Sequence, residues 1–521
     1  MKGCRVSIVG AGPGDPGLVT WRGMRRLASA DVVLYDHRVH ERLLRLARAD
    51  AERIDVGPAA PRAMEQDAIS MLIAEKAREG KAIVHLKWGD PYFFDSAGKE
   101  AMFLHEQGIP FEVVPGVPAG IGAPSYAGVP VTYPGGGDLL TFVRGGEGET
   151  DDLPQVNWAR LASLDGTIVC YAGARQLPGV IGQLLANGRP DTDSAALIFS
   201  GTLPDQRTIE GALGEIAVAI THEPPSKAAI LVVGQVVALR QHLRWFDERP
   251  LFGKRIVVTR SREQAADFVE MLEELGAEPI QAPAIRIAPP EDVEAIDRAI
   301  AEIGSFDWLI FASANAVDHF MHRVLEGPGD VRDLKGVRIC TVGPSTAGRL
   351  GRFGVKVDLT PPEFRAEAII DALREHGAIA GRRFLLPRAD IARDVLGEEL
   401  RKAGAADVVE VTAYRTLQDA GSRDGDPDIY RMLLDRRIDA VTFTSASTVR
   451  NFVKMLGEEP AADLLKDTVV ASIGPVTAEA AQVLGIATTV MPAQYTIQAL
   501  VDALVEHFRG QGPEARGQGR S

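Results

Sequence analysis

FASANAV, Phe311 to Val317, recurs as FTSASTV, Phe443 to Val449. A second matching stretch follows each copy, TVGPSTAGRLGRFGV after the first and SIGPVTAEAAQVLGI after the second. Phe443 follows Phe311 by 132 positions and Gly474 follows Gly343 by 131, and the copies run on into AEAIIDAL and IQALVDAL. Self-similarity at a fixed spacing means two copies of one structural unit. In each copy an apolar strand ends in Ser or Thr, and a Gly-Pro turn leads into a helix. Residues 249 to about 508 are therefore expected to form two similar α/β lobes with a ligand cleft between them. Strand ends of this kind expose backbone N–H groups and hydroxyls, which suit carboxylates. Simple helix capping by Thr346 and Thr477 is the equally open alternative.

The rest of the 521-residue chain is too long to share that core, so about three domains are expected. Apolar residues at 45% and charged residues at 25% are ordinary for a globular protein. A net charge of -14 argues against a nucleic-acid partner and against acidic membrane surfaces, so an anionic substrate needs a local basic pocket. Cys4, Cys170 and Cys340 are far apart and form no CxxC pair, so neither a disulfide framework nor a zinc site is readable. The longest apolar run, AAILVVGQVVAL, is too short to span a bilayer. No export signal or membrane anchor is expected, and a reducing cytoplasm fits best.

Before the repeat, strand-like runs such as RVSIVGAG, DVVLYD, AIVHLKWGDP, GTIVCYAG and AAILVVGQVV alternate with helical stretches. That is again an α/β pattern. MEQDAISMLIAEKAREGK reads as a helix with Ile69, Leu72, Ile73 and Lys76 on one side and Gly80 at its C-terminus. The pattern weakens in RQHLRWFDERPLFGKR, which places the main boundary near Arg249. The last residues, RGQGPEARGQGRS, lack apolar periodicity and are expected to be disordered.

IVGAGPGDPG, Ile8 to Gly17, looks like a dinucleotide loop. That fingerprint needs GxGxxG and an acidic residue about twenty positions on. Gly10 and Gly12 fill the first two places, Asp15 stands in the third, and Asp36 lies near the acidic position. A nicotinamide oxidoreductase therefore stays open on these residues alone.

VTR (258–260), FASANAV, LLPRAD (385–390), AYRT (413–416), FTSAST (443–448), SIGPVTA and QYT (494–496) fall in an order that resembles the uroporphyrinogen-III synthases. The resemblance covers residues 249 to 508. It implies two lobes that wrap a linear hydroxymethylbilane with eight carboxylates, remove water and invert the last pyrrole ring during closure, with no cofactor. By this resemblance Arg260, Arg388 and Arg415 are candidate carboxylate partners, and Thr259, Ser313, Ser445 and Thr477 candidate hydroxyls. Tyr414 matches the tyrosine placed near the departing hydroxyl, where a phenol donates a proton or hydrogen bond. A buried strand tyrosine is the alternative.

VGAGPGDPGLVT, VVLYDHRV, GDPYFF, EVVPGVPAGIGAPSYAGVPVT, CYAGARQLPGV and LPDQRTIEG resemble, in that order, the tetrapyrrole methyltransferases, and most closely uroporphyrinogen-III C-methyltransferase. This resemblance spans residues 1 to about 240 and implies S-adenosylmethionine as cofactor. That molecule carries no phosphate, so the glycines of the opening loop would serve a tight turn close to the ligand. Pro13, Gly89, Asp90 and Gly201 match cofactor-contacting positions, and Phe93, Pro118, Ala119 and Ala172 occupy others with altered side chains. Asp36 matches the proposed proton acceptor. Trp88 replaces the first glycine of the usual GGDP. On the substrate side the usual GRGGEE reads DSAGKE, so Ser96 stands for its arginine and Lys99 for its first glutamate. Pro58 stands for a lysine, and Thr132, Tyr133 and Pro134 for Thr-His-Arg.

The resulting expectation is an α/β chain with four parts: a two-subdomain methyltransferase-like half over 1–240, divided near 125 to 135; a linker over 241–252; a doubly wound synthase half over 253–508; and a tail over 509–521. The synthase lobes are expected at about 253–285 plus 420–508, and at 288–415. The resemblances imply small-molecule tetrapyrrole partners and a homodimer formed through the first half. Successive steps on one chain make chemical sense, because the second half would make the compound the first methylates. Two further readings remain: a synthase fused to a methyltransferase-like half that is inactive or acts on another tetrapyrrole, and a tetrapyrrole-sensing module without catalysis.

Overall fold

The computed structural model describes residues 6–36, 39–57, 64–136, 138–145, 152–173, 175–222, 228–283, 285–361, 366–376, 378–390, 395–418, 427–456 and 461–510. Pro58 and Cys4 lie outside the described residues, as does the tail from 511. The chain divides into two units, residues 1–253 with 275–278, and residues 254–274 with 279–521. Among the described residues no helix is long and apolar enough to cross a membrane.

The first unit opens with a five-stranded sheet in the order Glu52–Asp55, Val32–Tyr35, Ile83–Lys87, Val6–Gly10, Phe111–Val114, with every pair parallel. Val6, Ile8, Val32, Leu34 and Ile83 are buried on one face and Val9, Val33 and Val84 on the other, so the strands read as continuous apolar runs. The helix Gln66–Arg78 buries Ile69 and Ile73 against the sheet, while Lys76 pairs with Glu52 at 2.7 Å. Glu79 is its C-cap, and Gly80 follows at φ +90.

The helix Ala119–Tyr126 leads to a second sheet in the order Leu140–Arg144, Thr167–Gly173, Ala228–Val233, Ser194–Phe199, Arg207–Ala212, whose first pair is parallel and the rest antiparallel. The stretch 241–252, expected as a linker, is instead packed onto this unit. Phe246 and Leu251 are buried, and the Phe246 ring lies 4.7 Å from Tyr126, 5.6 Å from Trp245 and 5.3 Å from Phe252. Trp245 Nε1 donates to the Ser125 carbonyl at 3.0 Å. Apolar surface placed without periodicity was legible only as a break in pattern, yet its burial holds the segment in place.

The second unit has two sheets. One takes Glu278–Gln281, Arg255–Val258, Ala440–Phe443 and Val469–Ser472, drawing on both ends of the segment. The other takes Ile285–Ala288, Asp407–Gln418, Arg383–Ala389, Trp308–Phe311 and Arg338–Thr341. The repeated strands Trp308–Phe311 and Ala440–Phe443 occupy equivalent places, each beside a parallel strand that ends at a Gly-Pro helix start. Ile285–Ala288 pairs antiparallel with Arg415 to Gln418, so this sheet begins and ends a few residues outside 288–415.

Candidate functional site

In the first unit the ends of three parallel strands converge on glycines. A Cβ on Gly10 would sit 2.5 Å from Gly116 Cα, and one on Gly116 would sit 2.1 Å from the Gly89 carbonyl oxygen. Gly12 and Gly89 exchange backbone hydrogen bonds at 3.2 and 2.8 Å, both at positive φ. The glycine richness of the opening loop thus lets three backbones cross at contact distance, which no side chain permits. Asp15 makes up for the absent third glycine as a tie. It caps Gly17 N–H at 2.7 Å and accepts from the Tyr126 hydroxyl at 2.7 Å, while its own N–H donates to Thr202 Oγ1 at 3.0 Å. Burial and Asp15 together push the Tyr126 phenol above its ordinary range.

Beside the crossing lies a small hollow of about 20 Å³ lined by Trp88, Gly89, Asp90, Phe93, Phe94, Asp95, Pro118, Ala119 and Tyr171. The Phe93 ring is 4.9 Å from Phe142 and 5.9 Å from Tyr171, and Phe94 is 5.3 Å from Tyr171. Burial pushes the Tyr171 phenol up to about 12, and its oxygen accepts the Gly120 N–H at 2.5 Å. Asp90 accepts from Tyr92 N–H at 2.9 Å and Gly116 N–H at 3.0 Å, so its carboxylate braces the crossing. The Trp88 indole is turned back, donating to the Pro13 carbonyl at 3.2 Å and packing on the buried cluster that contains Ala119, Ala123 and Val169.

A second hollow of about 310 Å³ is lined by Asp36, Val56, Gly57, Met64, Glu65, Gln66, Ile69, His85, Leu86 and Lys87. Three of these lining residues converge on Glu100, fully buried, whose oxygens meet His85 Nδ1 at 2.8 Å, Lys87 Nζ at 3.1 Å and Gln66 Nε2 at 2.9 Å. Burial opposes the Glu100 charge, but His85 and Lys87 outweigh it and hold the carboxyl far below the usual range.

In the second unit Tyr414 is buried with its hydroxyl 3.2 Å from Ser313 Oγ, and Ser313 Oγ accepts the Ala316 N–H at 3.1 Å as N-cap of the helix Ala314–Glu326. Burial raises the Tyr414 phenol, while hydrogen bonding to Ser313 and Asn315 pulls it down. His319, one turn further on, stacks on the Tyr414 ring at 5.7 Å and 19°. Ser445 holds the matching cap in the other copy, bonded to Ser447 at 2.9 Å and to Thr448 N–H at 3.3 Å.

Residues 5–217 match the family Tetrapyrrole (Corrin/Porphyrin) Methylases, and residues 266–502 match Uroporphyrinogen-III synthase HemD. The chain is 33% identical over 502 residues to Porphyrin biosynthesis protein HemD of Ruminiclostridium josui, covering 96% of this chain and 97% of that one. The chain belongs to this methylase–synthase fusion family. Uroporphyrinogen-III C-methyltransferase of Bacillus subtilis (strain 168) is 33% identical over 371 residues, 71% of this chain and 76% of that one. Among solved structures, uroporphyrin-III C-methyl transferase from Thermus thermophilus complexed with S-adenyl homocysteine covers 45% of this chain and 99% of its own, at 33% identity and a TM-score of 0.39.

In the methylase unit the structure brings Gly89, Asp90, Phe93, Pro118 and Ala119 together around one hollow. Pro13 reaches it through Trp88, Ala172 is buried beside Tyr171, and Gly201 packs on Ala123, where a Cβ would meet Ala123 Cβ at 2.2 Å. Asp36 lines the other hollow. Sequence reading missed Phe94, Asp95 and Tyr171, although all three lie inside or next to quoted motifs, and it missed Lys87, His85 and Glu100. Lys99 is exposed on the helix Ala97–Glu106, while Ser96 joins the Lys87 network.

In the synthase unit Thr259 is fully buried and its hydroxyl donates to the Thr442 carbonyl at 2.7 Å, tying two strands. Arg388 is paired with Glu410, and Arg415 with Glu291 and the Pro289 carbonyl. Arg260 bonds only Gln264 Oε1, at 3.2 Å, and among the described residues makes no ion pair. Burial lowers its pKa, Asp267 opposing and Arg349 adding to the effect. Gly343 and Gly474, not Thr346 and Thr477, occupy the helix N-caps, and both threonines are buried at the first turn.

Proposed function

We propose that the synthase unit closes hydroxymethylbilane to uroporphyrinogen III with loss of water and inversion of the last ring, and that the methylase unit methylates the product toward precorrin-2. The observation that carries this reading is the Tyr414–Ser313 pair at the N-terminus of a thirteen-residue helix. A phenol losing its proton to a departing hydroxyl becomes an anion, and the capped helix end with its exposed N–H groups stabilises that charge. With Ser313 donating into the phenol oxygen while its lone pair holds the Ala316 N–H, the Tyr414 proton is left to point outward. His319 stacks on the ring and keeps it from rotating away. Arg260, half-buried and in no ion pair among the described residues, is the cation best placed to receive a substrate carboxylate. Much of the rate comes from holding the two chain ends together, since the bilane is already reactive.

In the methylase unit the lining of the hollow at the glycine crossing suits S-adenosylmethionine in its chemistry, offering backbone polar groups and the aromatic faces of Phe93, Phe94 and Tyr171 to a positively charged ligand. That cofactor supplies an activated methyl group. Phe93 and Tyr171 shape its seat, Gly10, Gly89 and Gly116 bring the backbone within reach, and Asp36 in the neighbouring hollow takes the proton released from the pyrrole carbon.

The test is an anaerobic assay of the purified chain on hydroxymethylbilane, with and without S-adenosylmethionine, with products read by chromatography and mass. Uroporphyrinogen III without cofactor, gaining two methyl masses with it, is the expected result. Uroporphyrinogen III that stays unmethylated removes the methylase half of the proposal, and type I product alone removes the synthase half.

A further inference from the structure

We propose that Lys87 is the cation with which the methylase unit receives a carboxylate of its substrate, and that Asp95 is a positioning residue that competes for it from the wall of the cofactor hollow. The inference rests on the reading that this unit binds a carboxylate-bearing tetrapyrrole.

Lys87 is the last residue of the strand Ile83–Lys87, with its side chain 11% exposed, and it lines the larger hollow with Asp36, Gly57 and Gln66. Among the described lining residues it is the one permanent cation, facing a wall that also carries Asp36 and Glu65. Among the described residues no other fixed positive charge lines it, since Ser96 bears none and Lys99 is exposed on its helix. Such a ligand would otherwise be buried without compensation.

Three groups hold the ammonium: Asp95 Oδ1 at 2.8 Å, Glu100 Oε1 at 3.1 Å and Ser96 Oγ at 3.2 Å. Burial opposes the charge, yet Glu100 and Asp95 keep the lysine pKa above its ordinary value. The two carboxylates are not equivalent. Glu100 is fully buried and also bound by His85 and Gln66, so it is fixed. Asp95 is 16% exposed, its other partners among the described residues are the Ala97 N–H and the Ser96 hydroxyl, and it lines the smaller hollow. Asp95 follows Phe94, which is held at φ +58, a conformation unfavourable for a bulky side chain. Asp95 is therefore the partner an incoming carboxylate exchanges with, and one ammonium links the walls of both hollows.

Competition makes opposite predictions for the two ends of the ion pair. The full chain, saturated with S-adenosylhomocysteine, is titrated with uroporphyrin III, a stable octacarboxylate, by fluorescence. Binding to the synthase unit is common to every variant, so differences report the methylase unit. Lys87→Met is expected to weaken a binding component at least tenfold and to remove part of its salt dependence, Lys87→Arg to restore much of it, and Asp95→Asn to tighten it. A purely structural ion pair would weaken in both Lys87→Met and Asp95→Asn, or in neither, and either outcome overturns the proposal. Should Lys87→Met fail to fold, Lys87→Arg and Asp95→Asn still decide it, since weaker binding in Asp95→Asn contradicts competition. Methylation by the wild-type chain is scored separately. Lys87-dependent binding without methylation leaves this assignment standing and removes the activity, whereas methylation with unaltered binding and KM in Lys87→Met does the reverse.

Discussion

The Tyr414 hydroxyl lies 3.2 Å from Ser313 Oγ, across 101 residues of sequence, and Ser313 is at once its partner and the cap of the helix Ala314–Glu326. One serine therefore carries two functions that mutation can separate. Tyr414→Phe removes the proton and is expected to lower synthase kcat by roughly 10²–10⁴. Ser313→Ala should lower it less and also cost about 1 kcal/mol of stability through the lost cap. The ratio of type III to type I uroporphyrinogen, separated by chromatography, checks the first effect, and denaturant unfolding checks the second.

Gly10 and Gly12 sit two residues apart and are glycine for different reasons. At Gly10 a Cβ meets Gly116 backbone at 2.5 Å, whereas at Gly12 the nearest atom is 3.4 Å away and φ is +78. Gly12→Ala is expected to cost about 1–2 kcal/mol, the strain of a left-handed residue. Gly10→Ala should cost more, because two backbones must part. Thermal unfolding that ranks the variants the other way would contradict the crossing.

Glu100 links the methylase unit to pH. Its carboxyl is depressed in the folded state, so the unfolded chain binds the proton more readily. The stability it contributes is complete above the ordinary carboxylate range and is lost as pH falls through and below that range. Glu100→Gln leaves Lys87 with Asp95 as its one remaining carboxylate partner among the described residues and is expected to cost about 1–3 kcal/mol at pH 7. The gap to wild type should shrink as the pH is lowered toward 3, which urea unfolding at several pH values measures.

Cys170 and Cys340 are both buried, and burial pushes each thiol up to about 12. Neither forms a useful thiolate near neutrality. Iodoacetamide at pH 8 is expected to leave both unmodified in the folded chain and to label both in urea, with peptide mass spectrometry locating the label.

The repeat and the order of short motifs were enough to read two α/β halves and their family, because apolar strands, Gly-Pro turns and helix starts are local signals. The opening loop was legible as glycine-rich but not for its purpose. Gly10 needs Gly116, and Trp88 needs the Pro13 carbonyl, partners that only the sheet order brings together. The segment 241–252 shows the same limit, its aromatics finding Tyr126 in a helix more than a hundred residues earlier.

The amino-acid sequence by itself determined the architecture of this chain, the family of each half and the neighbourhood of Tyr414, Asp36 and the cofactor loop. Tertiary structure alone decided which partner each candidate side chain takes within the fold. Thr259 turns inward to a neighbouring strand, Arg388 is neutralised by Glu410, and Arg260 makes no ion pair among the described residues. It also raised Lys87, an unremarked strand residue, to the centre of a charged cluster. The physical reason is that a side chain's direction and its charge partners are set by strands and helices distant in sequence, so residue type and spacing name the chemistry without saying where it points.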